Sequence, residues 1–203
     1  MRSLFIHIPK TGGKSIARAL YLRVFNRGVK EPPARVESLR ERFNEWENTT
    51  FRHVLYKNLR KHKIISDEFH DDSFKFTFCR NPYDRAVSHW KYTMRRHPGR
   101  LARGTSFLDF TRELGSRRDW IPQHTWVDGV ELDFIGRFEN FEEDVYLVGD
   151  LIGVMVERIP KINTTRHDHY STYYCDESRE RVEDYYAKDF QVFGYERDRL
   201  AGV

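Results

Sequence analysis

The chain has 203 residues, 39% hydrophobic, 15% aromatic and 33% charged, which is too apolar for a disordered polymer and long enough to bury one sizeable core, so residues 1–203 are expected to form a single domain. A formal charge of +4 spread along the sequence, without a basic tail, suits a small anionic ligand and argues against a nucleic-acid partner. No stretch nears the ~20 apolar residues of a membrane span, the first residues enter an apolar strand without a secretory h-region, and Cys79 and Cys175 give no disulfide framework; the expectation is a cytoplasmic chain with no membrane span.

Leu4, Phe5, Ile6 and Ile8 form an apolar run ending at Pro9, followed by Thr11-Gly12-Gly13 and a helical pattern through Ile16, Ala17, Ala19, Leu20 and Val24. The spacing predicts strand, glycine loop, helix. The stretch from Asn26 to Pro33 breaks structure before a charged helix over roughly Arg35 to Trp46, and a short helix is predicted from His53 to His62. Phe74 to Phe78 alternates like a strand and leads into Arg80-Asn81-Pro82, where Asn81 is placed to cap a helix running to Arg96, with Pro98-Gly99 as its stop. Ser106 to Leu114 is predicted helical, Leu132 to Phe138 a third strand, and Phe141 to Ile152 a helix capped by Asn140. Strands alternating with helices predict an α/β, P-loop-like three-layer domain, a mostly parallel sheet flanked by helices, with ligands outside the carboxyl ends of the strands.

Two motifs fall at those ends. In IPKTGGKS, Ile8 to Ser15, the glycines let backbone N–H groups approach an anion and Lys10 adds a full charge. The segment ends like a Walker A loop, but Ile8 stands where that motif requires glycine, and the next strand ends in Arg80 where a magnesium-holding carboxylate would be needed. Arg80 can grip phosphate bidentately, and Ser88, two turns into the following helix, can add a hydrogen bond. The plainer readings are a tight turn for the first motif and a capped helix with surface ion pairs for the second.

Taken together, the motifs resemble the carbohydrate-type sulfotransferases that use 3′-phosphoadenosine 5′-phosphosulfate (PAPS), the heparan-sulfate 2-O- and chondroitin-sulfating enzymes and their bacterial relatives. FIHIPKTGGKSI is similar to their 5′-phosphosulfate loop and FKFTFCRNPYDRAVSHW to their 3′-phosphate strand and helix; DFIGRFENFEED, KINTTRHDHYSTYY and YYAKDFQVFGYE extend the likeness. The resemblance implies that Lys10 meets the 5′-phosphosulfate and its bridging oxygen. It further implies that Thr11, Gly12, Gly13, Lys14 and Ser15 wrap the 5′-phosphate, that Arg80 and Ser88 hold the 3′-phosphate, and that Arg166 lies in a loop closing over the nucleotide. Lys14 departs from the threonine or serine usual in that family.

By analogy with phosphoryl transfer, the reaction is an in-line displacement in which the protein positions the groups and stabilises the leaving oxygen. The acceptor, a hydroxyl of a carbohydrate by the resemblance, must lose a proton; His53, in a segment similar to one that begins with histidine in the family, is the first candidate base, with Glu68 and His70 as alternatives. No metal-ligand spacing is evident, and no metal is expected. Two rivals remain open at this level: a P-loop kinase using ATP and Mg²⁺, and a non-catalytic domain that holds polyanions on its basic surface.

Overall fold

A computed structural model describes residues 1–26, 48–97, 99–116, 120–162 and 168–197. Five strands, β1 Ser3–His7, β2 Arg23–Asn26, β3 Asn48–Arg52, β4 Phe74–Cys79 and β5 Phe134–Arg137, form one all-parallel sheet in the order β2-β3-β1-β4-β5. Every residue of the central β1 is buried, which is why it reads as an apolar run rather than an alternation. Its register sets Ser3 opposite Asn48 and Phe74, and His7 opposite Arg52.

Two compact units divide the chain. The first, residues 1–79 and 125–163, contains the sheet, together with helices α1 Gly13–Ala19, α2 Tyr56–Lys61, α3 Asp67–Asp72 and α6 Phe141–Ile152. Phe5, Phe76 and Phe78 from β1 and β4 pack with Ile16, Ala17 and Leu20 of α1 and Val145, Val148 and Ile152 of α6, covering one sheet face. Each such phenylalanine contributes about 1.5–3 kcal/mol over its exposed state.

The second unit, residues 80–124 and 164–203, is helical where described: α4 Pro82–Arg96, α5 Phe107–Arg112, α7 Asp176–Tyr185 and α8 Ala187–Phe193. Its own core joins Tyr83, Ala86 and Val87 of α4 to Phe107 and Phe110 of α5, Val182 of α7 and Phe190 of α8, with Tyr186 and Trp120. Asn81 caps α4, its side chain accepting the Tyr83 N–H at 3.0 Å, with Pro82 in the first turn, and Ser106 caps α5 through the Asp109 N–H.

The strands seen in the sequence are present, and β2 and β3 are added to them. The helical pattern ends at Ala19, so Val24 belongs to strand β2 rather than to α1: Leu20 closes the helix and β-pairing to β3 captures the next apolar residues. The short helix begins at Tyr56, with His53 in a left-handed turn at φ +55° before it. The third strand is confined to Phe134–Arg137, where it pairs with β4. Asn140 makes no side-chain cap to α6; Asp144 instead accepts the Arg137 N–H at 2.6 Å and ties that helix to the end of β5. Cys79 is a buried free thiol and Cys175 an exposed one. The helix expected over Arg35 to Trp46, Pro98 and Arg166 lie outside the described residues. Among those described, no helix is long and apolar enough to cross a membrane.

Candidate functional site

In the first unit, the loop from Ile8 to Ser15 leaves the carboxyl end of β1. Thr11 is fully buried and its hydroxyl donates to the Ile8 carbonyl at 3.0 Å, so this side chain shapes the loop from inside. Gly12 sits at φ +81°, and its carbonyl accepts the Ser15 N–H at 2.8 Å and the Ile16 N–H at 3.2 Å, starting α1. Neither glycine has room for a side chain: a Cβ on Gly12 would come within 2.4 Å of the Phe141 ring, and one on Gly13 within 2.1 Å of His7 Nε2. Phe141 and His7 therefore press on the loop and hold its backbone in place. Ser15 Oγ accepts the Ile162 N–H at 3.1 Å, while Lys14 is exposed.

Lys10 is left-handed too, at φ +73°. A non-glycine residue pays about 1–2 kcal/mol for that conformation, which persists only where its surroundings fix it. The cation stands between Pro9 and the glycine turn, on a loop whose shape is determined from both sides.

His53 follows β3, next to β1 in the sheet, and its ring lies 4.6 Å from that of His7. Trp126 approaches the His53 ring edge-on at 6.3 Å. Through His7, the structure brings His53 and Gly13 into one cluster at the carboxyl ends of β1 and β3. Burial, with the charges of His53, Arg52 and Lys14 behind it, holds His7 well below the ordinary histidine range, so this ring is neutral near pH 7. Glu68 and His70 lie elsewhere. Both belong to α3, which precedes β4; Glu68 is exposed and pairs with Arg2 beside the start of β1, and His70 meets the Tyr56 hydroxyl. Ser3 to His7 spans about 13 Å of strand, so these two alternatives sit at the opposite end of the sheet from the loop.

In the second unit, Arg80 is buried and its Nε donates to Asp84 Oδ2 at 2.7 Å. Ser88, also buried, lies one turn beyond Asp84 on the same face of α4. The Arg80 peptide is bracketed by Gln123, whose Oε1 accepts the Arg80 N–H at 2.9 Å and whose Nε2 donates to the Arg80 carbonyl at 2.8 Å. Sequence reasoning singled out Arg80 and Ser88 and missed Asp84, Gln123 and His7. Asp84 carried a signal, four residues after an arginine at a helix start; His7 carried one in lying two residues before the proline of the loop; Gln123 carried none.

A family model described as the sulfotransferase family matches residues 2–196. The fold is similar to a crystal structure of a sulfotransferase from Alicyclobacillus acidocaldarius, with a TM-score of 0.56 at 16% identity, covering 98% of this chain and 97% of that one. It is also similar to a mouse sulfotransferase complexed with PAP, with a TM-score of 0.58 at 12% identity over 94% of this chain and 84% of that one. A retinol dehydratase in complex with androsterone and the inactive cofactor PAP gives a TM-score of 0.53 at 11% identity, over 100% of this chain and 84% of that one. An uncharacterized protein of Archaeoglobus fulgidus is 32% identical over an alignment of 115 residues that covers 52% of this chain and 89% of that protein.

Proposed function

We propose, from the premise that this chain belongs to the sulfotransferase family, that it moves a sulfuryl group from PAPS onto a hydroxyl of a carbohydrate by in-line displacement. The observation that carries the reading is Lys10, a cation at φ +73° on a glycine loop at the carboxyl end of the central strand. Lys63 also has a positive φ, at +48°; what singles out Lys10 is its place between Pro9 and the glycine turn. The mouse sulfotransferase and the retinol dehydratase, both with PAP bound, support the choice of donor.

PAPS, when bound, supplies the sulfuryl group and a bisphosphate leaving group. In this reading Lys10 binds the 5′-phosphosulfate and offsets the charge that builds on the leaving oxygen. Gly12 and Gly13 carry no side chain to keep an anion from the loop backbone, the Thr11 hydroxyl is turned to Ile8, and Thr11 to Ser15 are assigned the 5′-phosphate. In the second unit, Arg80 and Ser88 are assigned the 3′-phosphate, with Arg166 as a further contact. Asp84 accepts from Nε at 2.7 Å and orients the guanidinium. His53, whose ring lies 4.6 Å from that of His7, is assigned removal of the acceptor proton. The carbohydrate acceptor rests on the resemblance of the motifs.

The test is thermal stability with adenosine 3′,5′-bisphosphate against ATP and Mg²⁺, followed by labelled PAPS turnover over a panel of glycans. Stabilisation by the bisphosphate, lost in Arg80→Ala, and label transfer to a glycan are the expected results. Stabilisation by ATP and Mg²⁺ alone would overturn the reading.

A further inference from the structure

Asp189 on α8 is fully buried, and its two oxygens have separate duties. Oδ2 accepts the Gln123 N–H at 2.6 Å; Oδ1 accepts the His124 N–H at 2.9 Å and lies 2.7 Å from His124 Nδ1. The two backbone donors, one on each oxygen, and the ring stop the carboxylate from rotating. A carboxylate so deeply buried is tolerated only when N–H groups surround it, and here they are the first two backbone donors of the short turn Gln123–Trp126.

Gln123, itself fully buried, passes this order to Arg80. Its carboxamide engages both polar groups of one residue's backbone, the N–H and the carbonyl of Arg80. Helix α4 does not need this contact to start, because Asn81 and Pro82 already cap it. The fork acts one residue upstream of the cap, on the backbone that carries the guanidinium.

We infer that Asp189, acting through Gln123, is a positioning residue for Arg80, and that it sets the preference for a ligand bearing a 3′-phosphate. The inference rests on the assignment of Arg80 to that phosphate. An arginine already buried and joined to Asp84 has few orientations left; fixing its backbone from behind leaves the guanidinium preorganised, so the anion does not bear the cost of ordering it.

The experiment measures dissociation constants for adenosine 3′,5′-bisphosphate and adenosine 5′-monophosphate, which differ in the 3′-phosphate alone, by calorimetry on the wild type, Arg80→Ala, Asp189→Asn and Gln123→Glu. The last is isosteric and spoils one bond of the fork, so it decides the matter if Asp189→Asn folds poorly. The expected result is a preference for the bisphosphate that falls about tenfold in both Asp189→Asn and Gln123→Glu while monophosphate affinity holds. Equal losses for both ligands would reduce Asp189 to a general structural role and overturn the inference. An unchanged preference in both variants, with the preference lost in Arg80→Ala, would overturn the inference and leave Arg80 as the phosphate residue. A preference that survives Arg80→Ala would remove the assignment of Arg80 and the inference with it.

Discussion

Arg80 donates from Nε to Oδ2 of Asp84 at 2.7 Å, one turn further along the same helix, and both side chains are largely buried. The carboxylate aims the cation and at the same time competes with any anionic ligand for its charge. Asp84→Asn keeps an acceptor for Nε but removes the competing charge. Its expected effects are opposite in sign: stability falls by about 1–3 kcal/mol, because a buried cation loses its counter-charge, while bisphosphate affinity rises several-fold at low salt. Calorimetric titration and denaturant unfolding of the same variant check both; a fall in affinity would show that aiming outweighs competition.

Lys10 separates charge from backbone strain. Lys10→Ala and Lys10→Gly both remove the ammonium and are expected to lower PAPS turnover by at least ~100-fold. Only the glycine variant relieves φ +73°, so it should be the more stable of the two by about 1 kcal/mol. Urea melts and labelled turnover, run on the pair, read the two effects independently.

A Cβ on Gly13 would stand 2.1 Å from His7 Nε2 and 2.3 Å from Cδ2. Gly13→Ala should therefore cost about 1–3 kcal/mol as the buried ring is displaced, and His7→Ala should recover part of that loss when combined with it. A double-mutant cycle measured by chemical unfolding is expected to give a coupling of at least about 1 kcal/mol. Additive costs would mean that the loop and the ring do not press on each other.

His7 also predicts a pH dependence. Its folded pKa is held well below 6.5 by burial, so between that value and 6.5 the unfolded chain binds a proton that the folded chain does not. Stability is then fully present above about pH 6.5 and is lost on acidification, at up to about 1.4 kcal/mol per pH unit. Unfolding free energies from pH 7.5 to 5 should fall less steeply in His7→Gln than in the wild type. Equal slopes would show that His7 carries its proton in the folded state.

Local patterns made several elements legible. The run from Leu4 to Ile8 announced a buried strand because β1 has neighbours on both sides, and Asn81-Pro82 and Ser106 announced helix starts because caps act within three residues. Strands β2 and β3 were not legible: Arg23–Asn26 continues the apolar spacing of α1, and Asn48–Arg52 carries two threonines and a single large hydrophobe, so pairing in the sheet rather than local preference made each of them a strand.

The sequence by itself determined a parallel α/β fold and the two residue sets on which a phosphate reading stands, Lys10 with its glycines and Arg80 with Ser88, because the chemistry of those sets lies within a few consecutive residues or along one helix. Tertiary structure decided which groups surround them. It put His53 against His7 and sent Glu68 and His70 to the far end of the sheet, since strand direction, invisible in a short window, assigns each loop to one end. It also carried Gln123 to the Arg80 backbone from 43 residues along the chain, and Asp189 to the Gln123 N–H from 66, contacts that burial and hydrogen-bond satisfaction in a folded core produce and that no local spacing encodes.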